Sequence, residues 1–212
     1  MLLPVACLFL LAHRYIACYK PALTLCSLSS DAGRASRKGR KQRLTLADLS
    51  LPLLADDNAL HMVGRLDRDS EGLLLLTDDG KFTAKVLSEG CHKRYWALVQ
   101  GSPSESSLSV LRRGGLEIRG AVTRPPISVR VLTKDEIDNS SILPDPVPGM
   151  NRPGSWIEII LNEGRNRQIR RMTAAVGHKT IRLCRVAVGR FSLSDCGYLP
   201  PGEWKYIDRD QI

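Results

Sequence analysis

Leu73 to Leu76 is an unbroken apolar run, bounded by Gly72 on one side and by Thr77-Asp78-Asp79-Gly80 on the other. A short apolar run between turn residues predicts a strand buried on both faces. The acidic turn opens a short helix over Lys81–Ser88, closed near Gly90. Tyr95 to Val99 predicts another strand, stopped by Gly101-Ser102-Pro103. Ser104–Arg113 has helical spacing, with Leu108 and Leu111 three apart, and Ile127–Leu132 alternates as a strand after Pro125-Pro126. Asp138–Pro153 is a polar, Pro-rich connector, followed by a strand over Trp156–Leu161. Asn166 is placed to cap a helix over Arg167–Val176, with Ile169, Met172 and Val176 on one side and Gly177 as terminator. Ile181–Leu183 and Val186–Val188 then predict two more strands. There is no regular βαβ alternation and no internal repeat, so the pattern predicts an α+β fold on a mixed, largely antiparallel sheet with few helices.

Composition narrows the partners. The chain has 212 residues and is 43% hydrophobic, enough for one sizeable domain or two small lobes at roughly 100 to 200 residues per domain. A net charge of +9 favours a polyanionic partner. Aromatics are only 5%, which leaves little material for a surface of stacked rings, so arginine and lysine should lead any RNA contact. The cysteines, at 7, 18, 26, 91, 184 and 196, show neither CxxC nor zinc-ligand spacing; reduced thiols and no metal are expected.

Met1 to Ala12 is too short to span a membrane, and its positive charge follows the apolar run where a secretory leader has it in front. Residues 1–14 are an apolar leader or a start without fixed structure. A cytoplasmic location is expected, with a mitochondrion or plastid as the alternative if this segment is a transit peptide. Residues 33–43, GRASRKGRKQR, hold six basic residues in eleven, as a solvated loop or a phosphate-attracted one would.

Two segments carry candidate chemistry. Gly64-Arg65-Leu66-Asp67-Arg68-Asp69-Ser70-Glu71-Gly72 threads carboxylates with arginine immediately before the buried leucines. If Val63–Asp67 is extended, Arg65 and Asp67 share a face. A carboxylate beside a guanidinium stays ionised, as a nucleophile or base must, though a salt-bridged surface turn has the same composition. Glu163-Gly164-Arg165-Asn166-Arg167-Gln168-Ile169-Arg170-Arg171 leads a turn into a helix rich in arginine. Free N–H groups and forked guanidiniums suit such a helix start to phosphate. Gly164 to Arg190 contains eight Lys or Arg and no acid, so the basic surplus is local. A merely solvated helix face is the bland alternative.

Taken in order, GRLDRDSEGLLLLTDDG at 64–80, Lys93-Arg94-Tyr95, Thr123-Arg124-Pro125, EGRNRQIRRM at 163–172, and VAVGRFSL with the later PGEW resemble the motifs of the RsuA/RluE type of ribosomal-RNA pseudouridine synthase. The resemblance runs from about Tyr15 to Tyr206, with Tyr19-Lys20-Pro21 in the first strand. It implies a catalytic domain over 15–212 carrying the basic insert 33–43, with a central basic cleft. It implies Asp67 as the catalytic aspartate, Tyr95 as the tyrosine that packs on the target base, and Arg170 as the arginine paired with the aspartate. Arg65, Arg165, Asn166, Arg167 and Arg171 are then RNA contacts, while Ile169 and Leu183 are pocket-lining or plain core. The reaction moves a uracil from its N1–ribose bond to a C5–ribose bond, with no redox change and no external group. No cofactor, metal or membrane is implied, and the partner is RNA, ribosomal RNA in particular, for a protein acting as a monomer. A two-carboxylate hydrolase using Asp69 or Glu71 is the chemical rival. A noncatalytic RNA-binding or ribosome-assembly protein on the same fold is the functional alternative.

Overall fold

A computed structural model describes residues 13–30, 42–51, 60–88, 90–146, 148–150 and 152–212. The leader 1–12 and all but the last two residues of the basic run 33–43 lie outside the described residues. In chain order the elements are β1 (Tyr15–Lys20), β2 (His61–Val63), β3 (Glu71–Thr77), α1 (Gly80–Leu87), β4 (Lys93–Gln100), α2 (Glu105–Arg113), β5 (Glu117–Ile118), β6 (Ala121–Val122), β7 (Ser128–Val131), α3 (Lys134–Asp138), β8 (Gly154–Leu161), α4 (Gln168–Ala175), β9 (Thr180–Val188), β10 (Phe191–Ser192) and β11 (Trp204–Tyr206).

One sheet runs β11-β1-β3-β9-β4-β8-β7, with β2 added to β3 and β10 to β9. Every pairing in it is antiparallel except β3 with β9. That parallel contact is only two residue pairs long, Glu71 with Cys184 and Gly72 with Arg185, so the halves of the sheet meet over a short seam. Leu73 to Leu76 are at most 1% exposed, as expected for a strand covered on both sides. Burial of one such leucine is worth about 1.5–3 kcal/mol.

Alternation along the strands divides the core. Ala17, Tyr19, Leu73, Leu75, Trp96, Cys184 and Val186 pack together on one face. The other face carries two separate clusters. Ile16, Cys18, Leu74 and Leu76 pack with Leu46, Leu51 and Leu60. Ala97, Val99, Ile157, Ile159 and Leu183 pack with Leu108 and Leu111 of α2 and with Ile169 and Met172 of α4.

Three local expectations are corrected. The strands expected at Ile181–Leu183 and Val186–Val188 form one continuous β9, with a register shift against β4 in place of a break. Val63–Asp67 is not extended throughout: Gly64 turns left-handed at φ 73°, and β2 stops at Val63. Asn166 does not cap α4. The capping position is Arg167, itself left-handed at φ 53°, and no side chain caps the helix there. Gly177, at φ 87°, does terminate it, its N–H bonding to the Ala174 carbonyl.

Candidate active site

The second edge of β3 is shared. β2 occupies it opposite Leu75 to Thr77, and β9 occupies it at Glu71 and Gly72. The backbone between these two stretches has no strand partner on that side among the described residues, and a buried carbonyl there needs a donor. Arg185 supplies it, its Nε donating to the Leu73 carbonyl at 2.8 Å. Segment 64–70, which joins β2 to β3, is thereby released from the sheet and turns over the seam. Ser70 N–H bonds to the Asp67 carbonyl at 3.1 Å, closing a turn with Asp67 at its head. Lys20, fully buried at the end of β1, ties that turn down: its ammonium donates to the carbonyls of Ser70 at 2.6 Å, Pro21 at 2.7 Å and Arg68 at 3.4 Å. Burial lowers the Lys20 pKa to about 8. On the entering side, Leu66 N–H is held by the Cys26 sulfur at 3.3 Å.

The turn overhangs a cleft of about 430 Å³ in the gap between the two clusters of the divided face. Its lining joins the buried Leu66, Leu161, Ile169 and Leu183 to Tyr95, with the exposed Arg65, Arg68 and Asn166 and the half-buried Asp67, Arg165 and Arg167 toward solvent at its mouth. Asp67 and Tyr95 therefore face one cavity. Tyr95 sits where β4 and β9 shift register, an irregularity of the kind that re-aims a side chain. Ile169 and Leu183 line the cavity and are also part of the buried core.

Arginine surrounds the carboxylates in an arrangement the sequence did not predict. Arg167 takes Asp69 in a two-pronged bond, 2.7 and 2.8 Å, with its Nη1 only 3.8 Å from Asp67 Oδ2. Arg170 pairs with Asp69, not with Asp67 as expected: its Nε lies 3.3 Å from Asp69 Oδ2 and its Nη2 bonds to the Asp69 carbonyl at 2.7 Å. The reason is placement. Arg170 is on the buried side of α4, with its side chain 10% exposed, and its other fork is held by the Thr180 carbonyl, so it reaches the turn from beneath. Burial alone would raise the Asp69 pKa, but the Arg167 hydrogen bonds and both guanidinium charges outweigh it and hold that carboxyl below its ordinary value.

The other expected contacts are placed as follows. Arg165 bonds through Nε to Glu163 at 3.0 Å, and Arg171 bonds to the backbone and side-chain oxygens of Asn166. Arg65 is exposed at the mouth. Three residues that sequence reasoning left aside belong to this site. Arg68 lines the mouth beside Arg65, and neither makes a side-chain hydrogen bond or ion pair with a described residue. Glu163 and Gln168 tie together the turn that leads into α4: Gln168 Oε1 accepts from Arg165 N–H at 3.0 Å while its amide donates to Glu163. The carboxylate in front of Gly164 and the amide three residues beyond Arg165 were the available signal. Ser70 Oγ, also at the cleft, is buried without a partner among the described residues.

Neither acid of the rival hydrolase pairs with Asp67 across the cavity. Asp69 is occupied by arginine, and Glu71 is buried on the opposite face of the sheet in a bond with Arg182. Among the described residues no group of three or more His, Cys, Asp or Glu is arranged to hold a metal. No helix among them is long and apolar enough to cross a membrane.

The mixed, largely antiparallel sheet has the fold class of RNA-modifying isomerases, and comparison with known proteins places the chain among them. The chain matches the RNA pseudouridylate synthase family over residues 14–175 and belongs to it; it is an RNA pseudouridine synthase. It is 42% identical over 178 residues to the ribosomal large subunit pseudouridine synthase E of Xanthomonas campestris, covering 82% of this chain and 88% of that relative. With the protein of the same name from Vibrio vulnificus it shares 39% over 201 residues, 93% and 76% of the respective lengths. A crystal structure of a pseudouridylate synthase is similar at a TM-score of 0.68 over 94% of this chain and 72% of that one; at 24% identity the likeness is one of fold.

Proposed function

We propose that this chain converts uridine to pseudouridine in ribosomal RNA, with Asp67 as the catalytic carboxylate. The observation that carries the reading is that Asp67 and Tyr95 enter one cavity whose mouth is lined by arginine. A uracil turned out of its stack needs an apolar slot for its ring, and Leu66, Ile169 and Leu183 provide one beside the Tyr95 ring. Asp67, its side chain 27% exposed, is open to the cavity, with Arg167 Nη1 3.8 Å from its Oδ2. Arg170 acts through Asp69, fixing the turn that presents Asp67. Arg65, Arg68, Arg167 and Arg171 contact RNA phosphates, while Arg165, ion-paired with Glu163, and Asn166 meet the RNA backbone by hydrogen bonds. Unstacking a base costs a few kcal/mol, which such phosphate contacts offset.

The bacterial relatives named for the ribosomal large subunit support both the substrate and a cytoplasmic location. The test uses the chemistry of the product. When C5 of the base bonds to the ribose it loses its hydrogen, so RNA labelled with tritium at uracil C5 releases the label. Asp67→Asn is isosteric and is expected to release none while binding RNA within a few-fold of wild type. Label release at the wild-type rate would end the assignment of Asp67. A chain that binds ribosomal RNA but never releases label would instead be the noncatalytic binder.

A further inference from the structure

The β5–β6 hairpin lies outside the cleft and has no role in the site described. Its strands pair Glu117 with Val122 and Ile118 with Ala121, leaving Arg119 and Gly120 as a two-residue loop. Both are left-handed, at φ 51° and 71°. Such a loop favours Asn, Asp or Gly first, because a Cβ is strained at positive φ. Arginine there costs stability, and its side chain is exposed at the tip with no hydrogen bond or ion pair to any described residue. Strain retained at an exposed cation calls for a use outside the fold.

The hairpin's foot is built into the head of α4. Gly115 and Thr123 exchange backbone bonds with their neighbours across the foot, and Arg124 N–H donates to Glu163, the carboxylate that also holds Arg165 and Gln168. A Cβ on Gly114 would lie 2.6 Å from the Pro125 nitrogen, so the chain is pressed together there and the hairpin is not free to swing. β5 packs on α4, which brings Arg119 toward Arg171 on the outer side of that helix. Partial desolvation, then the like charges of Arg119 and Arg167, lower the Arg171 pKa. Two guanidiniums from different elements thus repel each other, Asp67 being the acid that partly offsets the charge on Arg171 and Asn166 holding its fork, and a shared phosphate would relieve that repulsion.

We propose that the β5–β6 hairpin and the outer face of α4 form a second RNA-binding point beyond the cleft, where Arg119 and Arg171 grip a phosphate of the strand flanking the target uridine. The proposal rests on the RNA-modifying reading and extends the contact surface past the cleft mouth. An acidic protein surface is the competing partner.

The probe is unmodified large-subunit ribosomal RNA transcribed in vitro, with affinity measured across a range of salt. Arg119→Asn removes the charge while keeping a residue at home in the left-handed loop, so its melting temperature should equal or exceed that of wild type. Its RNA affinity should fall about threefold to tenfold, and the slope of log affinity against log salt should flatten by about 0.7 to 0.9, one phosphate contact. Arg119→Lys should keep most of both. Wild-type affinity and slope in Arg119→Asn would overturn the proposal in favour of the protein partner. Equal loss in both variants with a lowered melting temperature would overturn it too, as a purely structural hairpin. Tritium release by the wild-type chain is scored separately, so failure of the isomerase reading would leave the salt slope at Arg119 to stand or fall by itself.

Discussion

Asp69 takes both prongs of Arg167 and the underside of Arg170, so two cations from the head of α4 pair with the turn that carries Asp67. Asp69→Asn keeps the shape but halves the acceptors and removes the charge. Arg167 is then free to swing, and Asp67 loses its fixed setting. Misplacement of a reacting group by about 1 Å costs up to roughly 100-fold, and label release is expected to drop between about 10-fold and 100-fold. Stability should respond to pH in a definite direction. The Asp69 pKa is depressed in the folded state, so the unfolded chain binds the extra proton below about pH 4, and folding is favoured as pH rises through that range. At neutral pH the half-exposed pairing is worth about 1 kcal/mol after solvent screening. The gap in melting temperature between wild type and Asp69→Asn should therefore close as pH falls from 6 toward 3; a constant gap would mean that Asp69 contributes shape alone. Asp67 and Tyr95 were legible in the sequence because motif order carries them. The partner of Arg170 was not, because a guanidinium on a long stem chooses its acceptor by the depth of its helix face, which only the packed structure sets.

At the scale of elements, the two-residue seam between β3 and β9 decides where the site can be. Gly72 is at its centre, with φ 101°, and a Cβ there would fall 2.4 Å from the Arg185 carbonyl and 2.7 Å from the Cys184 sulfur. Backbone cannot yield as a flexible side chain does, so Gly72→Ala should cost more than about 3 kcal/mol, by denaturant titration. Gly80→Ala is the control. Its Cβ meets nothing within 4 Å at the start of α1, where alanine is favoured over glycine by up to about 1 kcal/mol. Equal effects from the two would show that the seam tolerates strain. The strands either side of this seam were legible because runs such as Leu73–Leu76 are continuous and sharply bounded. Elements whose signal is short were missed. The β5–β6 hairpin has only Arg119-Gly120 to mark it, and α3 only the capping box in which Thr133 and Glu136 satisfy each other's backbone N–H groups. β9 was split in two because Cys184 and Arg185 interrupt its apolar run, yet both are buried, the arginine by serving the free edge of β3.

The surplus of +9 was countable from the sequence, but not how much of it was available to a partner. Folding spends part of it internally: Arg167 and Arg170 go to Asp69, Arg165 to Glu163, Arg182 to Glu71, and Arg185 to backbone carbonyls. What remains at the cleft mouth is Arg65 and Arg68, with Arg167 able to exchange an acid for a phosphate. Beyond the mouth, Arg171 and Arg119 extend the same charge. About five phosphate contacts give a slope of log affinity on log salt near −3.5 to −4.5, so between 50 and 200 mM salt the whole protein should lose roughly two orders of magnitude in RNA affinity. In the proposed role Asp67 meets the base or sugar and no phosphate, so Asp67→Asn should shift the line without tilting it. Arg65→Ala and Arg68→Ala should each flatten it by about one contact. A wild-type slope near zero, measured on the same transcript, would mean that the arginines of this face are structural and that RNA is held by some other surface.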